Sequence, residues 1–368
     1  MKNSTGKKPD RAVKKKILLF IYRKHETSKQ EIARELSLSM PTVLQNVNEL
    51  AEEGYITEIG EYESTGGRRA KVLAVNPSTF YAAGLDITKN HLSCVLLDGA
   101  GGIKKLKRLR LEFKDTPSYY KEVSELACGF IGEPYREKIY GIGISLPGII
   151  DGEQKELVRS HILDVSQLSL RQFQDVFEWP LYFVNDANSA AYAEFRNHRE
   201  NAVYLSLSDS VGGAVYMHRS IYPGDNFKSG EFGHMTVVPG GRRCYCGKKG
   251  CLDAYCSAKV LKGAGGGSLE RFFTKLKAND VSASETFDEY LNSLAVEIHN
   301  LRMAFDCDIM LGGYVGEYLE PYKTKILEKA AALNPFASDA AYIKIGQYKK
   351  EAAAVGAAMQ FVEKFYES

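Results

Sequence analysis

The chain has 368 residues, 44% hydrophobic and 11% aromatic, which excludes global disorder and leaves room for two or three domains. A net charge of +2 argues neither for nor against a nucleic-acid partner, so the distribution of charge has to decide. No N-terminal apolar stretch reads as a signal peptide, and no run of about 18 apolar residues predicts a membrane span. Four of the seven cysteines, Cys244, Cys246, Cys251 and Cys256, cluster rather than spread as a disulfide framework would. These features together predict a cytoplasmic protein.

Lys2, Lys7, Lys8, Arg11, Lys14, Lys15, Lys16, Arg23 and Lys24 crowd the first two dozen residues, with Asp10 among them. Such a block suits phosphate contact through counterion release, and equally a solvated tail. Val13, Ile17, Leu18 and Ile21 have helical spacing. Thr27 is in N-cap position for a second helix, with Gln30 three residues on and Ile32, Ala33 and Leu36 facing inward. A third helix opens near Pro41 and stops at Gly54, with Val43, Leu44, Val47 and Leu50 as its apolar face. Ser39, Thr42, Gln45, Asn46 and Asn48 are left for the outside, short neutral groups of the kind that read base edges.

After Gly54 the period changes to two, over residues 55–59 and 71–75. The turn between them holds Gly66 and Gly67, followed by Arg68 and Arg69, suited to a minor groove or to phosphates. Three short helices and a basic-tipped hairpin predict a winged helix-turn-helix over residues 1–76. A small helical protein-interaction module is the alternative. Asn76-Pro77 marks the boundary.

Residues 77–368 alternate strand and helix in two weakly similar halves, which predicts an α/β body of two lobes. Strands are expected at 81–86, 92–98, 139–146, 181–184, 202–207, 213–217 and 308–311, and a long helix at 287–305. Within this body His234, Cys244, Cys246 and Cys251 supply one imidazole and three thiolates. That is a closed tetrahedral set for zinc, which predicts a structural ion in a loop spanning 230–256. Cys256 falls in a helix after the loop and reads as a core residue.

Gly230-Glu231-Phe232-Gly233-His234, followed by the Cys244-Tyr245-Cys246 to Cys251-Leu252-Asp253 run, resembles the signature of the ROK family of bacterial repressors and sugar kinases. The resemblance covers nearly all of residues 78–368 and implies an actin/hexokinase-like fold. The winged helix is what the repressor branch carries, although Ala70 stands where that branch often has proline. In family kinases Asn-Asp-Ala-Asn holds sugar hydroxyls, its aspartate acting as general base; here it is Asn185-Asp186-Ala187-Asn188. By the same resemblance Glu231 and His234 are sugar contacts, and Asp253 replaces a glutamate that is the last of them.

The nucleotide side departs from the pattern. Asp86-Ile87-Thr88-Lys89 stands where an Asp-x-Gly-Gly loop approaches the phosphates, so side chains replace both glycines. Ser208-Asp209-Ser210 replaces a Gly-Thr-Gly loop, and Asp209 beside a triphosphate costs on the order of 1 kcal/mol. Tyr314 follows Gly312-Gly313 where a third glycine borders the base pocket. The expected function is a sugar-responsive DNA-binding regulator, most simply a repressor of carbohydrate-utilisation genes, with Asp186 binding ligand rather than catalysing. Operator DNA, a sugar effector and a second copy of the chain are the expected partners, since palindromic half-sites demand two-fold symmetry. The alternatives are an ATP-dependent, glucokinase-like sugar kinase and a constitutive DNA-binding protein whose body only dimerises.

Overall fold

The computed structural model describes residues 11–62, 70–196, 198, 200–336 and 338–368. Three helices, α1 (Arg11–Lys24), α2 (Lys29–Leu36) and α3 (Met40–Glu52), precede an antiparallel pair, β1 (Ile56–Glu61) and β2 (Lys71–Val75). The cap of α2 lies one residue later than expected: Ser28, whose hydroxyl accepts from Glu31 N at 3.2 Å. Thr27 is instead fully buried, pairs through its backbone with Leu73, and donates its hydroxyl to the Glu31 carboxylate at 2.8 Å. The three-helix unit is thereby tied to its hairpin.

Two five-stranded sheets form the body. The first contains β3 (Tyr81–Ile87), β4 (His91–Asp98), β5 (Ile103–Arg110) and β6 (Ile139–Leu146). A small antiparallel sheet follows, made of β7 (Ile149–Asp151), β8 (Glu156–Ser160) and β9 (Val165–Ser169), before β10 (Leu181–Asn185) returns to the first. The second contains β11 (Ala202–Leu207), β12 (Val211–Met217), β13 (Ser220–Tyr222), β14 (Asp308–Gly312) and β15 (Ile343–Ile345). The strand orders are β10-β6-β3-β4-β5 and β13-β12-β11-β14-β15. In each, three antiparallel strands lie beside two parallel ones in the same relative order, so the halves are topological repeats.

The helix Ala352–Glu367 crosses back from the second half to pack on the first sheet. Its backbone comes so near that a Cβ on Gly84 would collide with the Ala354 carbonyl, and one on Gly143 with that of Ala357. The same helix carries Gly356 against the backbone of Ser189 in the helix Asp186–Phe195. Its far end meets α1: Tyr22 and Tyr366 stack at 4.1 Å, and Arg23 pairs with Glu367 at 3.1 Å. Ile17, Ile21 and Val47 of the winged helix share one buried cluster with Val95, Phe361 and Val362 of the body. The core is therefore continuous across residue 76.

Gly143→Ala is expected to lower stability by about 1–3 kcal/mol, as overpacking of a tight interior does. Thermal unfolding of the purified variant checks this. An unchanged midpoint would mean that the helix can move away without cost.

Candidate functional site

A cleft of about 230 Å³ lies between the lobes. On its first-lobe side Pro147 and Gly148 follow β6, Arg159 and Ser160 end β8, and His161 and Ile162 follow it. On the other side stand Ser210 to Gly213, Phe227 to Glu231, His234 and Tyr245.

Asn185 ends β10 and caps the helix Asp186–Phe195, its Oδ1 accepting from Asn188 N at 2.9 Å. Its Nδ2 donates to Gly148 O at 2.9 Å and to Asp186 Oδ1 at 3.1 Å. The amide thus fixes the carboxylate at the helix N-terminus, where the dipole favours negative charge. Burial nonetheless pushes the Asp186 carboxyl up to about 6, with the nearby Glu231 charge adding to the effect. Glu231 is itself raised by burial, opposed by His161 and Lys228. Asn185, Asp186, Glu231 and His234, expected together from sequence, all line the cleft.

Glu231 and His234 flank a single 3-10 turn, Phe232–His234, entered through Gly230 at φ +81°. A Cβ on Gly230 would strike the backbone of Gly213, so the loop lies flush on β12. The two nitrogens of His234 face different ways. Nδ1 is 3.7 Å from Cys244 Sγ, whereas Nε2 is 3.3 Å from Tyr245 Oη and 4.0 Å from a Glu231 carboxylate oxygen.

Cys246 and Cys251 sulfurs are 3.7 Å apart, and the donor atoms of His234, Cys244, Cys246 and Cys251 all lie within 4.8 Å of one another. Sulfurs about 2.3 Å from a tetrahedral ion would be separated by about 3.8 Å, so these residues fit a four-coordinate metal. Gly247 at φ +92° and Gly250 at φ +86° turn the chain so that three sulfurs converge. Cys256 stays outside this set, fully buried, with its thiol toward Tyr290 O at 3.4 Å.

Asp253 does not line the cleft. It is 4% exposed and accepts from Val211 N at 2.7 Å, tying the metal loop to the start of β12. Conversely, His161 and Tyr245 were not foreseen at the cleft: their rings lie 5.6 Å apart, and Tyr245 is 5.3 Å from His234. A tyrosine between two metal-binding cysteines was the available signal.

On the other side of Asp186 lies a smaller space of about 40 Å³, bordered by Asp86, Thr88, Ser208, Tyr314 and Lys350. Burial and the Asp186 charge push the Asp86 carboxyl up to about 7. Thr88 closes the β3–β4 turn through His91 O at 3.1 Å. Arg108, from β5 in the first lobe, donates to Tyr314 Oη of the second at 3.0 Å and lies 5.0 Å from its ring centre. Lys262 Nζ lies 5.7 Å from the centre of the same ring and pairs with Asp209. Arg108 was invisible in sequence because it sits in a lysine-rich strand far from its partner.

On α3 the inward stripe is Val43, Asn46, Val47 and Leu50. Asn46 departs from expectation: it is 2% exposed and donates to Thr42 O at 2.8 Å, because it falls three residues after Val43 on the inner face. Leu44, expected inside, is 42% exposed. Ser39 and Gln45 are exposed and Thr42 half-buried, with Ser39 capping the helix through Thr42 N at 3.4 Å. Arg68 and Arg69 lie outside the described residues.

The architecture is thus a winged helix joined to a duplicated, two-lobed α/β body with a cleft beside a metal-fitting loop. Residues 82–364 match the ROK family model and residues 10–57 a winged helix-turn-helix DNA-binding model. The chain belongs to the ROK family. It is 34% identical over 261 residues to the xylose repressor of Bacillus spizizenii, covering 68% of this chain and 67% of that protein. It is 25% identical over 242 residues to the DNA-binding transcriptional dual regulator NagC of Escherichia coli, covering 64% and 60% respectively. Among solved structures, a ROK family transcriptional regulator, homolog of the E. coli Mlc protein, superposes with a TM-score of 0.75 at 18% identity, covering 97% of this chain and 98% of that one. A ROK glucokinase from Streptomyces griseus, in complex with glucose and AMPPNP, superposes at 0.62 with 21% identity, covering 76% and 98%. At those identities the structural likeness shows the fold. Among the described residues no helix is long and apolar enough to cross a membrane.

The metal-fitting geometry gives a direct expectation. Purified protein should contain one divalent ion per chain by elemental analysis, and Cys246→Ser should lose it together with any ligand response. A variant that keeps its ligand response without metal would separate the loop from the cleft.

Proposed function

We propose that this chain is a sugar-responsive DNA-binding repressor of carbohydrate-utilisation genes that does not phosphorylate its ligand. The carrying observation is the asymmetry of the cleft. Its sugar side presents Asn185, Asp186, Glu231 and His234 around about 230 Å³, whereas its nucleotide side is crossed by the Arg108–Tyr314 hydrogen bond and keeps about 40 Å³. The side chains of Thr88 and Tyr314 border that smaller space. The names of the relatives support the repressor reading, and D-xylose is the first candidate effector.

Zinc fits the thiolate-rich donor set best, held by Cys244, Cys246, Cys251 and Nδ1 of His234. Bound there, it supplies rigidity to the turn bearing Glu231 and leaves Nε2 of His234 for a ligand oxygen. The ionised carboxylate of Asp186 accepts from ligand hydroxyls, and the Asn185 amide holds it in place. Asp253 acts as a positioning residue through Val211 N. The proposed units are residues 1–76 for DNA and 77–368 for the effector, with a homodimer matching a palindromic operator in the cytoplasm. On DNA, Ser39, Thr42 and Gln45 are the proposed contacts on α3, with Arg68 and Arg69 on the wing. Asn46 is withdrawn from that set because it is buried.

Coupling follows one element. The helix Asp186–Phe195, about 15 Å long, begins at the ligand carboxylate and ends beside the winged helix. Ser189 bonds Ala353 O at 2.6 Å, Tyr192 donates to the Glu363 carboxylate, and Arg196 lies 5.7 Å from the ring centre of Tyr22 in α1. Ligand that favours one lobe angle therefore biases the seat of α1, which is the differential affinity any such coupling requires.

Two outcomes are expected. D-Xylose at millimolar concentration should release operator DNA in a mobility-shift assay while a coupled ADP assay shows no turnover; steady ADP production would favour the glucokinase-like alternative instead. Arg196→Ala should bind D-xylose and DNA as the parent does, with the sugar concentration for half-release raised at least tenfold. Release at the parental concentration would rule out this route.

A further inference from the structure

From Glu35 to Gly67 the sequence contains no lysine or arginine, and α3 lies inside that stretch. Guanine presents only acceptors in the major groove, and a bidentate cation is its usual reader. The outer face of α3 has none to offer. It presents the hydroxyls of Ser39 and Thr42, the amides of Gln45 and Asn48, and two exposed apolar side chains, Met40 at 37% and Leu44 at 42%.

Met40 and Leu44 are one turn apart, at the N-terminal end of the helix, which is the part a helix-turn-helix brings to base edges. The helix is anchored by Val43, Val47 and Leu50, and Lys14 of α1 pairs with Glu49 and Glu53 on its C-terminal half. Glu49 and Glu53 are thereby held toward α1. Gln45 donates to Glu49 Oε1 at 3.3 Å, which leaves one N–H and the carbonyl oxygen for a base. Amide pairs match adenine N6 and N7, and an apolar side chain matches the C5 methyl of thymine. Cations of α1 and α2 fix the protein on phosphates and carry no base information.

We infer that α3 reads A·T base pairs, with Leu44 and Met40 packed on thymine methyl groups and Gln45 and Asn48 on adenine edges. The inference rests on the DNA-binding reading above.

The full-length protein would first select its sites from a random-sequence DNA library. Each thymine in the enriched site would then be replaced singly by deoxyuracil, which removes only the methyl group. A·T-rich half-sites are expected, with a threefold to fivefold weaker Kd at one or two thymines per half-site, about the value of one buried methyl group. Leu44→Ala should weaken binding by a similar factor and abolish the deoxyuracil effect at one of those positions. Because Leu44 is exposed, the circular-dichroism spectrum should stay unchanged. Enriched half-sites with G·C pairs under α3, or a neutral result for every deoxyuracil, would overturn the A·T inference while leaving DNA binding intact. A library with no enriched sequence would overturn the DNA-binding reading itself.

Discussion

Everything in this molecule hangs on the close backbone approach of the helix Ala352–Glu367 to the first sheet. At Gly84 and Gly143 there is no room for a Cβ between strand and helix, and at Gly356 none between this helix and the one beginning at Asp186. Glycine and alanine here bring whole backbones, rather than side-chain tips, into contact. One helix thus touches the sheet, the helix that begins at Asp186, and the winged helix. A helix held off by larger side chains would lie too far out to join Tyr22 to Tyr366 while also seating Ser189 against Ala353.

The two lobes repeat one strand order and have been put to unequal use. The first ends a strand in Asn185 and sends a helix from the cleft toward α1. The second grows a metal-fitting loop from the region after β13, which forms one wall of the cleft. Asp86 and Asp186 occupy the seam between them, and burial raises both carboxyls above the ordinary range, helped by the Asp186 charge at Asp86 and by the Glu231 charge at Asp186. Across that seam Arg108 of the first lobe meets Tyr314 of the second.

Much of this was legible in sequence, unevenly and for physical reasons. The metal-fitting set could be read because sulfur spacing and loop glycines are local. The winged helix could be read because each helix carries its own apolar period, and α3 its proline near the start and Gly54 past its end. β5 could not: its apolar residues Ile103, Leu106 and Leu109 recur every third position, which suits neither sheet nor helix. The helix Asp186–Phe195 was missed because, rich in alanine, it is buried almost all round and shows little amphipathic pattern. Asn46 and Leu44 exchanged places because polarity misled where helical phase decided. Asp253 was assigned by resemblance to a cleft that its shorter side chain does not line.

The shared core between α1 and the last helix has a consequence for the order of synthesis. Domains commonly fold as they leave the ribosome, N-terminal unit first. Here Tyr22, Ile17 and Ile21 pack against Phe361, Val362 and Tyr366, which are made long after them. A nascent chain that has emitted only its winged helix lacks one wall of that unit's core. The core of the N-terminal unit is therefore completed only once the body that follows it in the chain has been made.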